Sequence, residues 1–358
     1  MNKKMLVPLS VEGTQGSIPL HLGYEWIKQL PNKNIYFSLF ERWPSSSQFK
    51  KHDLPNGYDY YVVSFHLEAV DVEWLKQQQV NGTIIVLSEG NHYQLQIPGV
   101  HFVPFYYWHH QLAQMQQWFG VKEKNKPRYK FSAVCNRITQ SKIWITTKLL
   151  ETASAESLIV LNSQFLEEQN VHGWQDTGNL VLDQLTQTFR NRYLGQSIKI
   201  DDFDTRNNNY QTFTANPWQP LYQDCVINFT NESFHYSLMQ DYIWPGPFIT
   251  EKTLKCLLGG TAFVPVGQFE TYRTLTELGL TFDYGFDTAW DSDPGNFTRA
   301  QGIVSLIDEL NQLGIEELVK KTQGVNQYNQ NHIVSGEFFK QCEQRNAESI
   351  EQIHHLIS

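Results

Sequence analysis

The chain has 358 residues, 41% of them hydrophobic and 18% charged, with 10 Trp, 17 Tyr and 22 Phe lifting the aromatic share to 14%. That composition excludes a disordered or low-complexity chain, and at about 150 residues per domain the length predicts two domains. Lys and Arg (28) fall short of Asp and Glu (37), a formal charge of −9, so no global basic field gathers phosphate backbones and general nucleic-acid binding is disfavoured.

The first third alternates apolar runs with amphipathic stretches. Met5 to Leu9, Ile35 to Phe40, Tyr60 to Phe65, Thr83 to Leu87 and His101 to Phe105 read as strands. Helices are expected around Tyr24 to Leu30, Val72 to Gln79 and His110 to Phe119. Such alternation implies a mostly parallel sheet covered on both faces. The polar stretch Val121 to Lys130, with five basic residues and a proline, reads as a linker. It sets the expected division: an α/β unit over 1–122 and a second over 130–335.

The pattern then restarts, with strands at Phe131 to Cys135, Ser157 to Leu161, Cys225 to Phe229 and Thr261 to Val266. Helices are expected at Lys142 to Glu151, Asn179 to Arg192, Glu251 to Leu258, Phe269 to Leu278 and Ala300 to Leu313. A last helix, 336–358, would follow Ser335 as N-cap, with an incomplete apolar stripe of Phe338, Phe339, Cys342 and Ile350. The expected fold class is two Rossmann-like α/β units facing each other across a cleft, with ligands outside the carboxyl ends of the strands. No apolar run approaches the roughly 20 residues of a membrane span, and Met1 to Ser17 lacks the features of a signal peptide, so the expectation is a soluble, cytoplasmic protein. Cys135, Cys225, Cys256 and Cys342 form no metal-ligand spacing and read as reduced core residues.

The stretch from Val226 to Gly267 carries the most chemistry. A strand runs into the polar cluster Asn231, Glu232, Ser233, an aromatic and Pro/Gly-rich loop follows, and Thr250 stands as N-cap ahead of Glu251 and Lys252. A helix start offers unpaired N–H groups and partial positive charge. A lysine in that first turn adds a full cation where an anion, such as a diphosphate, would be received; the alternative is a solvated lysine beside an ordinary cap.

This stretch resembles the donor-binding segment of the α1,3-fucosyltransferases, in which a strand runs into Phe-Glu-Asn, then an aromatic-x-Thr-Glu-Lys helix start, then Gly-Thr and a Pro-containing strand ending in Gly. The matching residues are Glu232, Phe248, Thr250, Glu251, Lys252, Gly260, Thr261 and Gly267. Upstream, Asn136, Lys142 and Leu149 keep the spacing of the family's Asn, Arg and Leu. The resemblance implies a GT-B-type, inverting, metal-independent glycosyltransferase that needs no cofactor beyond its nucleoside-diphosphate sugar, a GDP-linked sugar being one candidate, and serves a glycan or other hydroxyl acceptor. Asn136, Lys142, Glu232, Phe248, Thr250, Glu251 and Lys252 would bind the donor. Lys142 and Lys252 would neutralise its phosphates, and Glu251 would accept its ribose hydroxyls. Lys142 stands where the family has Arg and so loses the bidentate fork; Phe248 stands where it has Tyr.

Glu89, past the strand Thr83 to Leu87 and followed by Gly90 and Asn91, is a looser version of the family's strand-end glutamate, the proposed general base. Its alternative is a solvated loop carboxylate. The triplets Asp202-Phe203-Asp204 and Asp291-Ser292-Asp293 have a metal-binding form but sit among turn residues, and the Trp290-Asp291 region reads as ordering the end of the second unit. Two further functions stay open: a glycosyltransferase for modified DNA bases, and a non-catalytic carbohydrate- or partner-binding protein with a degenerate fold.

Overall fold

The computed structural model describes residues 5–6, 26, 30, 34–41, 53–66, 72–88, 96–106, 124, 126–135, 138–163, 174, 176–198, 220–232, 238–239, 242–243, 247 and 249–358. The chain divides into two compact units: Met1–Gln111, Ser237–Phe248 and Phe339–Ser358 form one, Leu112–Tyr236 and Ile249–Phe338 the other. Each carries a mostly parallel α/β sheet. The expected helix His110 to Phe119 and most of Tyr24 to Leu30 lie outside the described residues.

In the first unit, β1 (Met5–Leu6), β2 (Ile35–Glu41), β3 (Tyr60–His66), β4 (Thr83–Ser88) and β5 (Val100–Pro104) lie side by side in chain order, all parallel, with α1 (Val72–Gln77) between β3 and β4. The two-residue period of a strand sorts its side chains onto two faces. Tyr61, Val63, Ile84 and Val86 pack with Leu54 and with Trp74 and Leu75 of α1. Val62, Ile85, Leu87 and Val103 pack instead with Trp26, Leu30, Ile353 and Ile357. Crossovers that advance in one direction stack on a single face by the right-handed rule, so the second face needs another cover, and the last helix of the chain supplies it.

The second unit contains β6 (Tyr129–Cys135), α2 (Gln140–Ala153), β7 (Ser157–Asn162), α3 (Leu180–Arg192), β8 (Ser197–Ile198), the short α4 (Pro220–Gln223) and β9 (Cys225–Asn231). A small antiparallel pair, β10 (Leu238–Met239) and β11 (Tyr242–Ile243), groups with the first unit. The chain continues through α5 (Glu251–Leu258), β12 (Ala262–Val266), α6 (Thr271–Glu277), α7 (Asn296–Asn311), α8 (Ile315–Val334) and α9 (Glu337–Ile357). The sheet order is β12-β9-β6-β7-β8, parallel except for β8. Pro265 cannot donate to a ladder and is accommodated because β12 is an edge strand. From the central β6 and β9 the crossovers move outward in opposite directions, which places α2 and α5 on opposite faces. Helices α2, α3 and α7 pack together, as do α5 and α8.

Lys124, in the stretch read as a linker, is anchored: its Nζ donates to the Gly260 carbonyl at 2.7 Å and the Thr261 hydroxyl at 2.8 Å. Burial pushes this lysine down to about 8. Gly260 has φ +64°, a left-handed conformation that glycine adopts freely. Gly260 and Thr261 precede β12, at the amino end of the strands and opposite to the carboxyl end where Asn231 and Glu232 lie, so this part of the sequence pattern turns the chain away from that end.

Helix α8 has no counterpart in the expected elements, because amides line much of its inner face. The Asn329 side chain accepts from the Thr281 N–H at 2.9 Å and donates to the Thr281 carbonyl at 2.7 Å. Gln330 donates to the Leu258 carbonyl at 2.6 Å, and His332 Nε2 lies 3.1 Å from the Leu278 carbonyl. These bonds satisfy backbone groups that end neighbouring elements. Replacing Asn329 by the near-isosteric Leu strands both Thr281 groups. It should cost about 1–3 kcal/mol in urea unfolding, whereas Tyr328→Ala, at an exposed position, should stay within about 0.5 kcal/mol.

Candidate functional site

The second unit's sheet opens where its strand order reverses. The β6–β9 pairing runs from Tyr129↔Cys225 to Ala133↔Phe229 and stops. Beyond that point β6 stays with β7 to Cys135↔Leu161, and β9 stays with β12 to Asn231↔Val266. The Glu232 N–H extends the latter by donating to the Val266 carbonyl at 3.1 Å. The two central strands therefore part at their carboxyl ends. The Asn231 side chain spans the gap, its Nδ2 donating to the Val134 carbonyl at 2.9 Å. A carboxyl-end crevice at a strand-order reversal is where open α/β sheets bind ligands.

One wall is the start of α5. Thr250 has extended backbone (φ −108°, ψ 180°) and its hydroxyl accepts from the Lys252 N–H, the pattern of an N-cap. Glu232, at the end of β9 and 1% exposed, holds that cap in place. Its carboxylate accepts from the Thr250 hydroxyl and the Thr253 hydroxyl, each at 2.6 Å, and from the Thr250 N–H at 3.3 Å. Lys252 Nζ lies 3.8 Å from the same carboxylate and 3.3 Å from the Thr250 hydroxyl, with 32% of its side chain still exposed. A buried carboxylate is tolerated only with such donors around it. Here they tie strand end to helix start.

The other wall is the start of α2. Thr139 caps it with extended backbone and no side-chain bond to a helix N–H, its hydroxyl lying 3.2 Å from that of Ser141, and the Lys142 N–H donates to the Thr139 carbonyl at 3.1 Å. Lys142 is 4% exposed. Burial pushes the neighbouring Cys135 thiol up to about 11, with the Lys142 charge pulling the other way. Lys142 is thus buried in the first turn of α2, the helix that follows β6.

The structure thus brings Lys142, Glu232, Thr250 and Lys252 to the ends of two adjacent strands. Glu251 opens α5, its side chain outside the described residues, as are Asn136, Phe248 and Glu89. Asp202 to Asp204 lie there too. Among the described residues no group of three or more His, Cys, Asp or Glu could hold a metal ion, and no helix is long and apolar enough to cross a membrane.

Asp291-Ser292-Asp293 is turn and cap chemistry. The Asp291 carboxylate, 3% exposed, accepts the N–H groups of Thr271 at 3.2 Å and Tyr272 at 2.9 Å and so caps α6. Asp293 accepts from the Gly295 N–H at 2.7 Å. Arg299, fully buried, clasps the exit of β12 to the start of α7. It donates to the Gly267 carbonyl at 3.2 Å, the Asp293 carbonyl at 2.9 Å and the Asn296 side chain at 3.1 Å. Glu270 between them is left-handed at φ 61°, a strained state for a non-glycine residue. Thr253 and Arg299 were not singled out as site-shaping residues by sequence; a Thr three positions past a Thr cap was the available signal for the first.

No family model, curated protein or solved structure matches this chain. The functional reading therefore rests on the geometry and on the residues that carry the resemblance.

Burial pushes the Asp291 carboxyl up to about 7, against the two N–H groups and the Arg299 charge. A carboxyl raised above its unfolded value near 3.9 favours the folded state while protonated. Its contribution is therefore full below about pH 4 and lost as pH rises to about 7, on the order of 3–4 kcal/mol. Asp291→Asn should flatten that part of the stability profile in denaturant titrations between pH 4 and 8; an unchanged slope would assign the pH dependence elsewhere.

Proposed function

We propose that the chain is an inverting, metal-independent glycosyltransferase that takes a sugar from a nucleoside-diphosphate donor to a hydroxyl acceptor. The observation that supports this reading is the placement of Lys142 and Lys252 in the first turns of the helices that follow two diverging neighbour strands, at the crevice where an anion is best received. A departing nucleoside diphosphate gains negative charge as the glycosidic bond breaks. Two cations and a capped helix start aimed at that charge do the electrostatic work otherwise given to a divalent ion.

In this reading Lys142, dehydrated in its first turn, and the more exposed Lys252 hold the phosphates, and Glu251 takes the ribose hydroxyls. Asn136 and Phe248 complete the donor contacts. Glu232 acts through others: its oxygens are spent on Thr250, Thr253 and Lys252, so it positions the cap and the cation. Glu89 is the general base, taking the acceptor proton as the hydroxyl attacks the anomeric carbon from the face opposite the leaving group. The facing GT-B arrangement, with the first unit holding the acceptor, belongs to the same proposal.

A thermal-shift screen against GDP, UDP, CDP and ADP and their sugar conjugates tests the donor site, because a ligand that binds only the folded state raises its stability. With the best ligand, Lys142→Ala should lose about 1.5–3 kcal/mol of binding, the scale of a charge-assisted hydrogen bond. Lys252→Ala should fall toward the lower end because solvent already screens its charge. Unchanged affinity in both variants would remove the assignment.

Glu89→Gln separates transfer from donor binding. The amide keeps size and one acceptor oxygen but takes no proton at neutral pH, so kcat should drop by roughly 10²- to 10⁴-fold with donor affinity little changed. Near-normal turnover would sink the base assignment, and a protein that binds donors but transfers nothing even as wild type would be a binding protein.

A further inference from the structure

The crevice holds one group that neither the fold nor the proposed phosphate contacts use. Asn231 is 4% exposed, and its Oδ1 has no hydrogen-bond partner among the described residues. Its orientation is fixed chemically. A carbonyl can only accept, so the nitrogen of the amide must face the Val134 carbonyl at 2.9 Å and the oxygen must face away from it. A buried carbonyl oxygen without a donor bears its full desolvation cost, and this one sits where β6 and β9 part.

Asn162, at the end of β7, also has a buried, unpartnered Oδ1. It lies on the other side of β6, where the sheet continues to β8 without reversing, so it borders no such opening.

We infer that Asn231 Oδ1 accepts a hydrogen bond from a hydroxyl on the ring attached to the ligand's diphosphate, and that Asn231 thereby selects which rings bind. The inference rests on the donor-site reading above. If the phosphates lie between Lys142 and the start of α5, the ring next to them is the part of the ligand nearest the parted strands. That ring is ribose on one side of the diphosphate and the transferred sugar on the other. Both offer the same chemistry, an O–H donor, to a fixed acceptor.

The test is isothermal titration of wild type, Asn231→Asp, Asn231→Leu and Asn231→Ala. The probes are GDP, UDP, CDP and ADP, their 2′,3′-dideoxy counterparts, and the corresponding diphosphate sugars with one ring hydroxyl deleted. Wild type should lose about tenfold in affinity when the contacted hydroxyl is removed, the worth of one net hydrogen bond. The Asp variant loses the donor to the Val134 carbonyl that aims the acceptor and should lose that ratio too. The Leu variant should bind both members of a pair equally; if it does not fold, the Ala variant carries the same measurement.

Loss of discrimination confined to the dideoxy pairs identifies ribose, and loss confined to the deoxysugar pairs identifies the transferred sugar. Nucleotides that bind wild type with no hydroxyl discrimination, or discrimination that persists in the Leu and Ala variants, would overturn the inference and leave the donor site standing. Absence of binding by every nucleotide would overturn both.

Discussion

The two central strands of the second sheet feed helices on opposite faces, and the ladder between them ends before the strands do. β6 leads to α2 and β9 leads to α5, and the outward crossovers place those helices on different sides. The ladder gives way at Ala133↔Phe229, and each strand completes itself with its outer neighbour. The opening lies where the strand order reverses. What the side chains decide is what lines it: an amide across the gap, a buried lysine on one wall, and on the other a helix cap held by a buried glutamate.

Glu232 shows how tightly that lining is specified. Its carboxylate is met by two threonine hydroxyls, an N–H and an ammonium group, so the first turn of α5 is fixed to the end of β9, 18 positions away in sequence. In the proposed reaction such rigid placement would matter, because electrostatic stabilisation is strongest when dipoles and cations need not reorganise as charge develops. Arg299 and Asp291 do comparable work at the exit of β12, where they fix the starts of α7 and α6.

The parallel strands were legible because strands buried on both faces read as nearly continuous apolar runs, as TIIVLS of β4 and SLIVLN of β7 do. Thr250 and Lys252 were legible for a different reason: cap chemistry is local and announces itself within three residues. Helix α8 was not, since Asn329, Gln330 and His332 face inward and hydrophobic periodicity is blind to amides that bond to backbone. The stripe of α9 was half visible. Phe338 and Cys342 were read correctly, while Ile353 and Ile357, which with Cys342 and Ser349 complete the buried face, were not. The orphan oxygen of Asn231 could not be foreseen at all, because it depends on where a ladder between residues nearly 100 positions apart comes to its end.

The position of α9 has a consequence for how the protein comes into being. The face of the first sheet formed by Val62, Ile85, Leu87 and Val103 is covered by Ile353 and Ile357, residues that leave the ribosome only after the entire second sheet has been made. Domains usually fold as they emerge, the N-terminal one first. Here the nascent first unit has that face covered only in part, by Trp26 and Leu30, throughout synthesis of the second, and α9 completes the cover at the end.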